Sequence, residues 1–196
     1  MATIGLSKPY VAKYSAVGKA VTYSGTKIFA KAVEFSSSVA SATANNFYAD
    51  NGIAESDKTF SNGTFTVTTD DMTQEASELI LGITAKSITV NEDSSVKELV
   101  YDDDVSTPDL GFGIVIKKKK DGKEAYRAVV YTKVSFQIPQ DAAKTQGETI
   151  EWQTPQLTAT IMRDDTEKHA WKREATFDTE AEAQAYIETI LGKPGA

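Results

Sequence analysis

Apolar and polar residues alternate along most of this chain with the two-residue period of strands that bury one face. Residues 8–14 and 20–23 predict short strands around a turn near Val17–Gly18. Phe29, Val33 and Phe35 fall on one face of a predicted strand over residues 27–38, with Lys31 breaking the pattern. Residues 64–69 read as a clean strand, with Phe65 and Val67 on one face and Thr64, Thr66 and Thr68 on the other. Weaker strands are predicted over 86–90 and 96–101. The strongest local signal is a hairpin, in which residues 111–120 and 123–138 flank Asp121–Gly122, a pair suited to a type I′ turn. That turn sets Phe112 opposite Tyr131, Ile114 opposite Val129, Ile116 opposite Arg127, and Lys119 opposite Glu124 as a cross-strand ion pair. Residues 149–163 predict another strand, bent at Pro155 and placed at a sheet edge there because proline donates no ladder hydrogen bond. Residues 170–177 predict the last.

The period changes in two places. Ala76, Leu79, Ile80 and Ile83 recur at helical spacing, which predicts a short helix over 73–81. Asp70, Asp71 or Thr73 can cap its first turn, and Gly82 can end it in the left-handed conformation. Ala183, Tyr186, Ile187, Ile190 and Leu191 form one stripe of a second helix over 179–191, opened by a Thr179–Glu182 capping box and ended by Gly192 and Pro194. The fold class is therefore mainly β (α+β), with one short central helix and one C-terminal helix, in a single domain over 1–196. Between the predicted strands lies a long polar stretch, residues 40–61, with two Asn-Gly steps and with Phe47, Tyr48, Ile53 and Phe60 inside it. Its aromatic residues predict that it orders against something.

Composition narrows the chemistry. A chain of 196 residues can bury about 70% of its unfolded surface and needs no covalent staples. It has no cysteine and one histidine, which excludes disulfides, thiolate metal sites, cysteine nucleophiles and any two-histidine metal motif. No apolar run reaches the length of a membrane span, and Met1 to Gly5 lacks a basic-then-apolar leader, so synthesis and retention in a cytoplasm are expected. The net charge of −7 argues against a protein whose task is to hold nucleic acid, though not against one that lets nucleic acid slide past.

The candidate reaction centres each have a plainer explanation. No nucleophile elbow, phosphate loop or dinucleotide fingerprint is present. Gly111–Phe112–Gly113 is too short to cradle phosphate and suits a strand that something packs against closely. His169 lies near Asp164 and Asp165, but on a polar stretch that favours a surface histidine over a catalytic triad. Asp102–Asp104 with Asp109 lacks the closing glutamate of a calcium loop, since Gly113 stands at that position. Asp70–Asp71 is explained by a helix start rather than by glycosidase chemistry. Lys117–Lys120 ends a hairpin, where lysines keep edges soluble. Asn62–Gly63–Thr64 matches a glycosylation acceptor but reads better as a turn. Trp152, Trp171 and Tyr48 are the candidate contacts if the chain is a carbohydrate- or receptor-binding β module. No catalytic, metal or cofactor site is expected, and no enzyme.

The order of motifs over residues 33–82 resembles a known family. Val33–Glu34–Phe35–Ser36 runs into Asn46–Phe47–Tyr48–Ala49–Asp50–Asn51–Gly52, then Glu55–Ser56–Asp57, Phe60, Gly63–Thr64–Phe65–Thr66–Val67, Asp70–Asp71, and a helix ending Leu79–Ile80–Leu81–Gly82. The opening, Ile4 to Tyr14, also fits. This set resembles the major tail (tail-tube) proteins of long-tailed, non-contractile phages and prophages of Gram-positive bacteria. The additional immunoglobulin-like domain that some members carry is not expected here.

The resemblance implies a tail-tube fold, a β-sandwich or barrel that forms rings. Six subunits would close one inner β-barrel with helices packed outside, and rings would stack into the virion tail tube that conducts DNA during ejection. The N-terminal segment (1–14) and the long loop (40–61) would be assembly arms bridging subunits or rings, with Phe47, Tyr48, Asp50, Asn51, Glu55, Asp57 and Phe60 as interface residues. Its partners would be further copies of itself, the tape measure, the tail terminator and the distal tail protein, with DNA only in transit and no membrane. Assembly would take place in the host bacterial cytoplasm. The inner tube of a contractile tail or of a bacteriocin particle is the alternative machine. Six copies at −7 each could give an acidic lumen wall that repels phosphate.

Overall fold

The computed structural model describes residues 2–41, 45–49, 52–57, 60–90, 94–103, 105–140, 145 and 154–193. At residues 41, 45–49, 52–57 and 94 it describes the backbone alone. Strands dominate. In chain order they are β1 (Ala2–Val17), β2 (Ala20–Ile28), β3 (Ala32–Ser41), β4 (Asn45–Ala49), β5 (Gly52–Asp57), β6 (Phe60–Thr69), β7 (Ala85–Val90), β8 (Ser94–Leu99), β9 (Leu110–Lys120), β10 (Lys123–Phe136), β11 (Gln156–Met162) and β12 (Lys172–Phe177). Helix α1 (Gln74–Leu81) follows β6, and α2 (Glu180–Ile190) follows β12.

Eight strands form one antiparallel sheet in the order β2-β1-β9-β10-β11-β6-β3, with β12 added on β10. The sheet forks at β10. Tyr126–Tyr131 pair with β12, whereas Lys133–Phe136 pair with β11. A register shift between Tyr131 and Val134 marks the fork, and the extra residue at such a bulge bends the strand. The sheet thereby folds over so that β3 and β6 face β9 and β10. Phe65 stacks on Phe112 at 4.5 Å and on Tyr131 at 5.3 Å, and meets Phe136 edge-on at 5.6 Å. Phe35 joins from β3, 6.0 Å from Phe112. Val67, Leu110, Ile114, Val129, Leu157 and Ile161 complete this core. The barrel alternative is not the architecture, because β2 and β3 end the sheet rather than pairing with each other.

Helix α1 buries Ala76, Leu79, Ile80 and Leu81 in the same core. Thr73 caps it, its hydroxyl accepting from the Ala76 amide at 3.2 Å. Gly82 ends it at φ 70°, where an added Cβ would also lie 2.7 Å from the Ser106 carbonyl oxygen. Helix α2 covers the other side of the sheet, packing Ala183, Ile187 and Leu191 on Tyr10, Ala12, Val115, Ala128 and Val130. Its capping box is complete, the Thr179 hydroxyl accepting from the Glu182 amide and the Glu182 carboxylate accepting from the Thr179 amide.

The hairpin of β9 and β10 forms as expected. Asp121 and Gly122 have φ of 52° and 79°, and all four predicted cross-strand pairs are present. Several other expectations are corrected. The run over 27–38 is two strands, broken where the buried Phe29 donates its amide to the Pro9 carbonyl. A bulge between Ala32 and Glu34 turns Val33 out, 55% exposed, so it does not share the Phe29 and Phe35 face. Pro155 does not mark an edge. It precedes β11, which lies between β10 and β6, and its carbonyl accepts from the Thr69 amide at 3.0 Å. Of the N-terminal segment, Ala2–Ser7 pair with β9 alone, whereas Tyr10–Lys13 lie between β2 and β9 and bury Tyr10, Val11 and Ala12. The long stretch 40–61 is not one loop, since it holds the β4–β5 hairpin and the prolonged ends of β3 and β6.

Candidate assembly surfaces

Unpaired borders among the described residues include Ala2–Ser7 of β1, which pair with β9 alone, and three further strands of the main sheet. β2 and β3 end the main sheet, and β12 pairs on one side only. Such borders present rows of free amides and carbonyls, which act as templates for pairing with another chain unless charge, bulges or covering elements block them. β2 bears one charged side chain, Lys27, along its length, and β3 bears one, Glu34. Low charge on two sheet ends leaves them weakly defended against pairing. Two hairpins, β4–β5 and β7–β8, pair only within themselves and stand apart from the main sheet.

Four of the expected interface residues fall on the first of these hairpins, and one, Phe60, begins β6. Phe47 and Tyr48 lie on β4, and Glu55 and Asp57 on β5, where Phe47 pairs with Glu55 and Asn45 with Asp57. Asp50 and Asn51 lie outside the described residues. Phe60 begins β6 and is already engaged within the chain. Its ring stacks on Trp171 at 4.6 Å and 8°, and the Arg163 guanidinium lies over it and donates to its carbonyl. One face of Trp171 is thus taken by Phe60. Trp152 lies outside the described residues.

Electrostatics tie the surface loops to the sheet. The Asp165 carboxylate accepts from the Tyr14 hydroxyl at 2.7 Å and from the Lys133 ammonium at 3.0 Å, and these bonds hold it below the usual carboxylate range. Burial disfavours the Lys133 charge, but Asp165 and Asp109 overcome it and raise that ammonium. Glu174 on β12 pairs with Arg127 of β10 and with Lys172, and they hold its carboxyl down at about 2. Burial, aided by the Glu188 carboxylate, pushes the Tyr10 phenol far up.

Several candidate reaction-centre residues that are described are engaged in local bonds. His169 Nδ1 lies 3.0 Å from the Asp164 carbonyl oxygen, while the Asp164 carboxylate accepts from the Thr166 amide and hydroxyl, so histidine and carboxylate are not paired. Among the described residues, no three acidic or histidine side chains converge as a metal site would require. Asp70 accepts from the Lys31 amide at 2.8 Å, a loop-fixing role, and not from α1. A cleft of about 690 Å³ beside α1 is lined by Lys13, Lys27, Glu75, Glu78 and Asp109, charges of both signs without a nucleophile–base pair. Among the described residues, no helix is long and apolar enough to cross a membrane.

Set against protein-family models and against curated proteins, the chain matches none.

The sequence missed the β2 border and the β12 border, which depend on which strands meet across the fold. The one signal for them was the weak charge along β2.

Proposed function

We propose that this chain is the repeating subunit of a tube, joined to further copies through its sheet borders, and that the tube is the tail tube of a long-tailed phage or prophage. The observation that carries the reading is the unclosed main sheet, with β2 and β3 at its ends and a self-paired hairpin, β4–β5, between β3 and β6. An unfinished sheet finds the rest of its hydrogen bonds when a neighbour supplies a strand. The motif order over 33–82 gives the tube its identity, and with it the hexameric ring, the stacking of rings and the passage of DNA. The β4–β5 hairpin, with Phe47 and Tyr48 on β4 and Glu55 and Asp57 on β5, is the arm that reaches another copy. Tape measure, terminator and distal tail proteins are the partners at the ends of such a tube.

Negative-stain microscopy of the full chain across a concentration series tests the proposal. Rings or filaments are expected, and removal of residues 46–57 is expected to abolish them while leaving a folded monomer. A chain that stays monomeric and folded at every concentration and salt condition overturns the reading.

A further inference from the structure

A sheet folded over on itself has four faces to account for. Two meet across the aromatic core. A third, the outer side of β1, β9 and the first half of β10, lies under α2. The fourth spans β3, β6, β11 and the end of β10; Ser36, Ser38 and Thr64 stand exposed on it, and the loop residue Thr107 meets it at Ser135. At the centre of this face the side chains are hydroxyls in register, flanked by Gln156, Asn62, Ala40 and Met162. Ser36, Thr66 and Thr158 form one row, and Ser38, Thr64, Thr160 and Ser135 form the next. The Thr66 and Thr158 hydroxyls lie 3.5 Å apart, and Ser135 meets Thr107 at 3.1 Å. Charges stand only at the margins of this array. Glu34 is opposite Thr68 at one corner, and Lys133 is opposite Met162 at the other, where its ammonium is held by Asp165 at 3.0 Å and Asp109 at 3.4 Å.

We infer that this hydroxyl face is the wall the tube presents to a nucleic-acid duplex passing through it. The inference rests on the proposed tube and assigns the surface that lines it. It follows by elimination, since a sheet can offer a channel only a face that neither the core nor a helix occupies. The array also reaches β3, an open end of the sheet, so strand pairing between copies would carry it on without a break. The chemistry suits the cargo. Phosphate affinity comes from clustered cations, and two rows of neutral hydroxyls offer none. The wall is then neutral rather than acidic, and the net charge of −7 is carried on other surfaces.

The absence of cysteine from the chain makes a direct test possible. Thr64→Cys and Ser38→Cys each introduce a single thiol on the hydroxyl face, and Ala181→Cys introduces one on the exposed side of α2. Tubes of each full-length variant are treated with a small maleimide and, separately, with maleimide-coated gold wider than the bore seen in the same images. The expected result is labelling of all three thiols by the small reagent, gold along the Ala181→Cys tubes, and loss of gold from the other two. Gold on Thr64→Cys or Ser38→Cys tubes overturns the inference while leaving the tube intact. Protection of those thiols from the small reagent also overturns it, because the face is then buried between copies. Failure of the unsubstituted chain to form tubes removes the tube reading itself.

A second measurement reads the wall chemistry. Thr64→Lys/Thr160→Lys tubes should retain short duplex DNA at low salt. Two added phosphate contacts weaken that retention at least about tenfold between ~50 and ~200 mM salt. The unsubstituted tubes should retain none. Equal retention by both overturns the inference.

Discussion

Gly113 sits where β9 passes beneath α2, and a single methyl group there tests how that contact is built. A Cβ at Gly113 would lie 2.5 Å from Cγ2 of the fully buried Ile187. No rotamer choice at alanine relieves this, so either α2 or Ile187 must move, and overpacking of this kind costs about 1–3 kcal/mol. Ile187→Ala alone removes buried aliphatic volume over the same glycine and costs about 2–5 kcal/mol. In the double variant the new methyl group occupies space that Cγ2 vacated. The two changes should therefore couple favourably by about 1 kcal/mol or more, well beyond the ~0.3–0.5 kcal/mol scatter of independent sites. Gly5→Ala is the control. It lies on β1 with its nearest neighbour, Lys117 Cβ, 3.9 Å away, and should fall within about 0.5 kcal/mol of the unsubstituted chain. Urea unfolding followed by tryptophan fluorescence and far-ultraviolet circular dichroism, at a concentration below any assembly, gives all four free energies. Additive behaviour of Gly113→Ala and Ile187→Ala refutes the packing argument. So does a Gly113→Ala variant as mild as the control.

Acid should probe β12 separately. Glu174 falls from 4.5 to about 2 through Arg127 and Lys172, so its stabilisation is full above the unfolded value and is lost as pH falls through the folded one. Its side chain is 46% exposed, so screening reduces the nominal linkage to about 1 kcal/mol, and Glu174→Gln should flatten stability between pH ~4.5 and ~2 in acid titrations. Thr179→Ala removes the capping box of α2 and should lower stability by about 1 kcal/mol in urea, with Thr179→Ser recovering most of it. Trp171→Ala strips the ring on which Phe60 stacks and should cost about 1–3 kcal/mol, with faster amide exchange at the start of β6 as the local readout.

What the sequence reveals about this fold follows the range of the forces involved. The β9–β10 hairpin was legible because a two-residue turn and side chains directly opposite one another are local, and they fix register without help from the rest of the chain. The helix caps were legible for the same reason. The fork of β10 was not, because the alternation across Tyr131 and Val134 reads as one unbroken strand until two different partners claim its halves. Pro155 misled because edge and start-of-strand positions both tolerate a missing amide, and only the pairing of β11 with β6 and β10 tells them apart. Gly111 and Gly113 hinted at close packing, but what approaches them, Leu191, Tyr23 and Ile187, comes from strands and a helix distant in sequence. The hydroxyl face shows the same division most clearly. Thr64, Thr66 and Thr68 alternate visibly within one strand. Ser36, Ser38, Thr158, Thr160 and Ser135 become their neighbours only through long-range ladders. A surface assembled from four strands is thus hidden from any reading that proceeds along the chain, although every residue that builds it is a small polar one of the kind a solvent-facing strand position normally holds. The same logic applies to a tube. Its bore would be a ladder extended between chains, so its chemistry would be set by residues that no single segment brings together.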